Sequence, residues 1–466
     1  MGMRPRDAQI LVQRAAEVLV AALMLSVISS AQGAQVTNAS SHRRLVVCLD
    51  GTWNSPYDES RRDDGTKVLK PTNTLKMCRA VLPRDDAGVN QIAYYDIGVG
   101  SLGEYPGITN RLLHSVDRKL GGAWGAGFEG NVEDALHFLT LNYEEGDQVF
   151  IFGFSRGAAT ARAVTRFIDW AGGLPQKRDA YFLPVLFREY VLARGNEAAR
   201  DLAVTQINAS LARDERPPML PLNRVTVRYL GVWDTVMALG ARFKAKDAST
   251  SVAARSFHAG TSPAACVAHA RQALAIDEQR FDFRPEIWQD SKPGQVMEQR
   301  WFAGVHSNVG GGYTDDGLAN VAFRWILAGA NAEGLATDRE FTNHYRSFPL
   351  DRLYSSSSFF YRLLDALRFR SGHGKRSLLN VPASARSVLD ASVVKRIRAP
   401  LADLRRANPK ARPYRPDNVL AFLACQPNLP AYLASIGIDD LATKPLPPDV
   451  MERIAVLKAD CPSPRP

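Results

Sequence analysis

Residues 153–157 read Gly153-Phe154-Ser155-Arg156-Gly157, a serine with a glycine two positions away on each side. The pattern alone is common by chance; its setting carries the argument. The apolar run Val149 to Phe152 leads directly into it, and a stretch of small residues follows from Ala158. Strand, tight turn and helix in that order hold a serine hydroxyl at the end of a sheet as a nucleophile. Glycines are needed because the turn leaves no space for side chains between the strand and the helix. The bland alternative is a serine that caps an ordinary helix.

A nucleophilic serine needs a base, and the base needs an acid to orient it. Asp234 follows the apolar run Tyr229 to Trp233, and His306 follows Gln299-Arg300-Trp301-Phe302. The spacings are 79 residues from Ser155 to the acid and 72 more to the histidine. Both stand at strand ends, in the order nucleophile, acid, histidine. In these roles His306 takes the Ser155 proton and Asp234 stabilises the imidazolium. A turn or capping role is the alternative for Asp234, with Asp277 the next acid candidate. His42, His114, His258, His344 and His373 lack a strand-end setting, and His137 and His269 read as helical. The amide of Arg156 is the expected first oxyanion donor. Backbone amides of Gly51 and Thr52 are the choice for the second, with a simple Asx-type turn as the alternative.

The elements that must hold these residues alternate. Leu45 to Leu49 reads as a buried strand, Asn73 to Val81 as a short helix and Gln91 to Asp96 as a second strand. Asn131 to Tyr143 has helical spacing, Gln148 to Gly153 is a buried strand and Ala158 to Trp170 a helix. Val225 to Trp233 and Met297 to Phe302 complete the strands. The expected fold class is α/β, a mostly parallel sheet with helices on both faces. Strands fade from Gly334 onward, so residues 336–466 read as an appended helical, basic region behind a catalytic domain at 43–335.

Hydrophobic residues make up 45% of the 466-residue chain and charged residues 23%, which excludes a disordered chain and a polytopic membrane protein. The net charge of +10 is localised, because residues 335–417 hold 17 Lys and Arg against 7 Asp and Glu. That segment suits an anionic membrane surface, with a solvated helical face as the alternative. No nucleic-acid motif accompanies it. The five cysteines show no CxxC spacing, so neither a zinc site nor a dense disulfide framework is expected, while Cys425 and Cys461 are free to pair in an oxidising compartment. Arg4, Arg6 and Arg14, the apolar run Val18 to Ile28 and the small residues around Ala31 to Ala34 resemble a signal peptide over 1–34. That pattern predicts export to the periplasm or beyond, with an N-terminal anchor as the alternative.

Five ordered blocks resemble the phospholipase-effector family associated with type VI secretion, which has an α/β-hydrolase core. They are Leu49 to Asn54, Tyr95 to Gly100, Gly153 to Ala158, Gly231 to Val236 and Trp301 to Tyr313, with lesser echoes at Ala275 to Glu278 and Tyr414 to Pro416. In the last main block Ala303 and Asn308 replace the family's usual Pro and frequent Asp. The resemblance implies a triad of Ser155, Asp234 and His306 acting on phospholipid acyl esters in the manner of a phospholipase A. It calls for no cofactor and leaves calcium open. An esterase or acyltransferase for small or glycolipid esters remains the alternative, followed by a non-catalytic binding module on the same fold.

Two other motifs fail on context. Gly125 to Gly130 matches G-x-G-x-x-G, but no strand precedes it, so a loop bordering the cleft is expected there. Val47 to Thr52 resembles the start of haloacid-dehalogenase phosphatases, but Cys48 stands where their nucleophilic carboxylate belongs.

Overall fold

The computed structural model describes residues 42–51, 54, 59–61, 65–98, 123–237, 260–280, 283–356, 376–379 and 381–461. The signal-peptide reading at 1–34 lies outside these residues. From His42 onward the described chain forms one compact unit.

Its centre is a seven-stranded sheet in which every pairing is parallel. The strands are β1 (Arg44–Leu49), β4 (Gln91–Asp96), β5 (Gln148–Phe154), β6 (Val227–Trp233), β7 (Val267–Ala275), β8 (Val296–Phe302) and β9 (Ser387–Leu389), in the spatial order β4-β1-β5-β6-β7-β8-β9. A small antiparallel pair, β2 (Glu59–Arg61) and β3 (Lys67–Leu69), stands apart. Because the large sheet is all parallel, the chain after each strand emerges at one common edge, where ligands bind in open α/β sheets.

Alternation along β1 shows why the sheet is covered twice. Leu45, Val47 and Leu49 pack with α2 (Ala123–Asn142), α3 (Arg156–Ala171), α4 (Leu183–Leu192) and α5 (Glu197–Arg213). Val46 and Cys48 point the other way, into a cluster with Met77 of α1 (Asn73–Ala80) and with Ala322, Phe323 and Ile326 of α7 (Gly317–Ala332). Burial on both faces is why the run lacks polar residues.

The glycine pattern at 153–157 has a direct packing cause. A Cβ on Gly153 would lie 2.4 Å from the Gly157 carbonyl oxygen, and one on Gly157 would lie 2.1 Å from the Leu49 carbonyl oxygen. These are backbone obstacles, so α3 would have to lift off β1 and β5. A Gly157→Ala variant is therefore expected to lose about 1–3 kcal/mol or more. Urea denaturation reads this, and an unchanged midpoint would contradict the packing account.

Residues 376–461 do not stand off as a separate body. β9 extends the sheet beside β8, and Val393 and Val394 of α9 (Ala391–Arg398) and Val419 and Leu420 of α11 (Asp417–Ala424) pack on Leu274, Ile276 and Trp301. A disulfide joins Cys425 to Cys461, at the end of α13 (Pro448–Leu457). Part of the basic charge is engaged here. Arg396 is buried and donates to the Pro349 and Asp351 carbonyls, Arg398 pairs with Asp440 and Arg415 with Asp449.

Two local expectations are corrected. Gly125 to Gly130 lie inside α2, so the cleft-bordering loop is absent there. His269 belongs to β7, where its ring nitrogens contact Glu298 and Glu333.

Candidate active site

Ser155 occupies the turn between β5 and α3 with φ 58° and ψ −119°. An ordinary N-cap is extended, whereas this backbone is sparsely populated for a residue with a Cβ, at a cost of about 1–3 kcal/mol. The hydroxyl makes no capping bond to the helix. The helix-cap alternative therefore fails on both counts. The Ser155 N–H donates to the Trp233 carbonyl at 3.0 Å, which extends the β5–β6 register by one residue and sets the turn beside Asp234.

Asp234 is fully buried, again with positive φ, 44°. Its N–H donates to the Ala273 carbonyl at 2.8 Å. Its carboxylate accepts four hydrogen bonds. Oδ1 takes the Ala275 amide at 3.0 Å and Arg376 Nη1 at 2.6 Å, while Oδ2 takes His306 Nδ1 at 2.6 Å and Arg376 Nη2 at 3.0 Å. Burial alone would push this carboxyl up, but Arg376 and His306 together hold it well below the usual carboxylate range. An ionised carboxylate only accepts, so the His306 proton sits on Nδ1 and Nε2 carries the lone pair.

His306 opens the short helix α6 (His306–Gly310) just after β8. The preceding loop is pinned from β7's end: Asp277 Oδ2 accepts the Gly304 amide at 2.6 Å and the Tyr414 hydroxyl at 2.9 Å, and Glu278 Oε2 accepts the His306 amide at 3.2 Å. Asp277 thus holds the histidine loop and does not touch the ring. The imidazole lies 4.6 Å from the ring of Phe154, the residue before Ser155, and edge-on to Phe283 at 5.0 Å. Burial among these rings lowers the His306 pKa further than Asp234 raises it. The structure therefore gathers Ser155, Asp234 and His306 at one end of the sheet. Asn308 also has a local job, accepting the Tyr354 amide and donating to the Arg352 carbonyl.

The expected oxyanion donors fare unequally. The Arg156 amide opens α3, at the positive end of the helix dipole. Gly51 approaches closely, since a Cβ there would lie 3.1 Å from Ser155 Cβ. Its N–H, however, donates to Asp50 Oδ1 at 2.7 Å, so Gly51 is not a free donor in this conformation. Asp50 is itself fixed by Thr72 and Tyr95, whose hydroxyls reach Oδ2 at 2.5 Å and 2.7 Å. Thr52 lies outside the described residues.

Arg376 and Glu278 escaped the motif reading. Glu278 falls in one of the lesser family echoes; Arg376 has no signal, being one arginine in a basic stretch. Among the described residues no group of three or more His, Cys, Asp and Glu is placed to hold a metal ion.

Residues 43–329 match the family model described as type VI secretion system phospholipase effector Tle1-like, catalytic domain. An uncharacterized protein of Saccharomyces cerevisiae is 25% identical over 251 residues, covering 53% of this chain and 33% of the yeast protein. The chain thus spans about a third of that relative's length. Among solved structures, an uncharacterized protein from Pseudomonas aeruginosa aligns over 91% of this chain and 63% of its own, at 15% identity and TM-score 0.39. A Tle1 effector bound to the VgrG spike of the type VI secretion system aligns over 72% of this chain and 81% of its own, at 16% identity and TM-score 0.38. The catalytic-domain match covers more than half of the sequence, and the chain belongs to the Tle1-like family of type VI secretion phospholipase effectors.

Proposed function

We propose that the protein hydrolyses acyl esters of membrane phospholipids through an acyl-enzyme on Ser155, in the manner of a phospholipase A. The observation that carries this reading is the 2.6 Å bond between His306 Nδ1 and Asp234, held against the strained turn that bears Ser155. His306 takes the Ser155 proton as the hydroxyl attacks the ester carbonyl, then returns it to the leaving alcohol. Water repeats the cycle on the acyl-enzyme. The Arg156 amide, with Thr52 as the second candidate, stabilises the oxyanion.

The lipid substrate is an inference from the family, and the exposed cations Arg386, Lys395, Arg405, Arg406, Lys410 and Arg412 support contact with an anionic bilayer. The Cys425–Cys461 pair favours an oxidising compartment, the periplasm or beyond. The decisive experiment is a lipid-product profile on phosphatidylglycerol and phosphatidylethanolamine vesicles, with a soluble short-chain ester in parallel. Released fatty acid and lysolipid support the proposal. Turnover of the soluble ester with intact vesicles would make the protein a plain esterase.

The pH dependence has a defined sign. His306 acts as a base only when neutral, and burial holds its pKa below the ordinary 6.5. Its protonation, and with it the fall in kcat/KM, is expected only below pH 6.5. An acidic limb centred above pH 6.5 would count against His306 as the base.

A further inference from the structure

We infer that Arg376 is a positioning residue for the acid of this site, so that the region beyond the matched catalytic domain completes the machinery inside it. The inference rests on the Ser155, Asp234 and His306 reading given above.

The guanidinium is almost wholly buried, with 3% of its side chain exposed. All four Nη hydrogens are used. Two go to the Asp234 oxygens, and the others go to the carbonyls of Ala275 and Phe283, both at 2.6 Å. No Nη donor is left for a substrate phosphate or carbonyl, and the fifth donor, Nε, has no partner among the described residues but is buried away from solvent, so the group acts through Asp234. A two-pronged arginine–carboxylate contact fixes the rotation of the carboxylate as well as its charge. Rotation matters here, because Oδ2 must face His306 Nδ1 for the ring to present Nε2 toward Ser155.

The backbone of Arg376 is anchored in turn. Asn418, in the first turn of α11, donates to the Arg376 carbonyl at 2.9 Å and to the Ile276 carbonyl at 3.2 Å. One side chain thus joins the C-terminal helices, the end of β7 and the loop carrying the arginine.

Among the described residues the charges facing His306 come from four groups: Asp234 on Nδ1, Arg376 behind Asp234, Glu278 on the His306 amide, and Arg280, whose side chain Glu278 holds with two hydrogen bonds. Phe154 and Phe283 also pack against the ring. Two carboxylates and two guanidiniums cancel. Removing the Arg376 charge leaves an excess negative charge, which favours the imidazolium and raises the pKa of the base. A unit charge about 7 Å away at an effective dielectric of about 20 moves a pKa by about one to two units.

The test uses the full chain and needs no knowledge of the natural substrate. The rate of Ser155 labelling by a fluorophosphonate is measured across pH, beside kcat and KM on a soluble short-chain ester. For Arg376→Gln, labelling at pH 7 should slow about 10–100-fold with KM nearly unchanged, and the acidic midpoint should rise by about one pH unit. Arg376→Lys keeps the charge and loses the fork, so its midpoint should stay near wild type while its rate falls. A folded Arg376→Gln with wild-type rate and midpoint overturns the inference and leaves the hydrolase reading intact. If Arg376→Gln does not fold, Arg376→Lys decides: a wild-type rate overturns the positioning role, and a slowed rate at an unmoved midpoint supports it. A wild-type protein that never labels at Ser155 defeats both readings.

Discussion

Ser155→Ala should lower kcat on any ester substrate by about a millionfold while leaving the fold essentially unchanged. The catalytic loss is large because the residues of such a site act as one unit, and His306 has nothing to activate once the hydroxyl is gone. The stability effect is small for a structural reason. The Ser155 hydroxyl makes no capping bond to α3, and an alanine Cβ meets the same strain at φ 58°. Its unfolding free energy should change by no more than about 0.5 kcal/mol. Ser155→Gly removes the Cβ and should be more stable by about 1–2 kcal/mol, though equally inactive. Turnover with purified variants and urea denaturation of the same samples read both halves. Substantial activity in Ser155→Ala would move the chemistry to another residue. A strongly destabilised Ser155→Ala would mean that the serine is a structural cap after all.

The parts of the fold that show in the sequence are those with one physical signature each. β1 and β5 are buried on both faces and therefore continuously apolar, so their boundaries read within a residue or two. The turn at 153–157 shows because its glycines are forced by backbone contacts with Leu49 and Gly157, a demand no other residue type meets. β7 hides because its sequence, VAHARQALA, mixes His, Arg and Gln into a buried strand. Those polar groups are satisfied laterally: Gln272 accepts from the Thr235 hydroxyl at 2.5 Å and donates to the Gln299 side chain at 2.9 Å and the Glu286 carbonyl at 3.0 Å. A hydrogen-bond network across three strands has no local period, so no pattern along the chain reports it. β9 is three residues long, below what alternation can reveal.

The site divides along the same line. Ser155 and Asp234 each end an apolar strand and His306 follows the end of β8, and an all-parallel sheet brings such ends together. Asp277 satisfies the same rule yet serves the His306 loop instead. Strand-end position together with chain order, after Ser155 and before His306, narrows the acid to Asp234 and Asp277, and only geometry chooses. Arg376 lies 142 positions from its partner, in the coil ahead of β9, and its pairing is a property of packing alone.

That pairing makes Asp234→Asn the variant with two separable consequences. The amide's NH2 would face either His306 Nδ1–H or the Arg376 fork, donor against donor at either place. Facing His306, it favours the wrong tautomer, with the proton on Nε2, and kcat should fall about 10⁴-fold. Independently, the buried Arg376 charge loses its counterion, which costs about 3–5 kcal/mol of stability. Ser155→Ala should be inactive and stable, whereas Asp234→Asn should be slow and fragile. The double variant Asp234→Asn with Arg376→Gln separates the two effects. With the guanidinium gone, much of the lost stability should return, while turnover stays as low as in Asp234→Asn. Denaturant midpoints for the wild type, both single variants and the double variant form a closed cycle, and a pair in direct contact should show coupling of about 0.5–3 kcal/mol. Additive midpoints would mean that Arg376 and Asp234 do not support each other in solution. A stable Asp234→Asn that still turns over at the wild-type rate would remove Asp234 from the site altogether. Asp277, the second strand-end acid between Ser155 and His306, would then be the next residue to substitute.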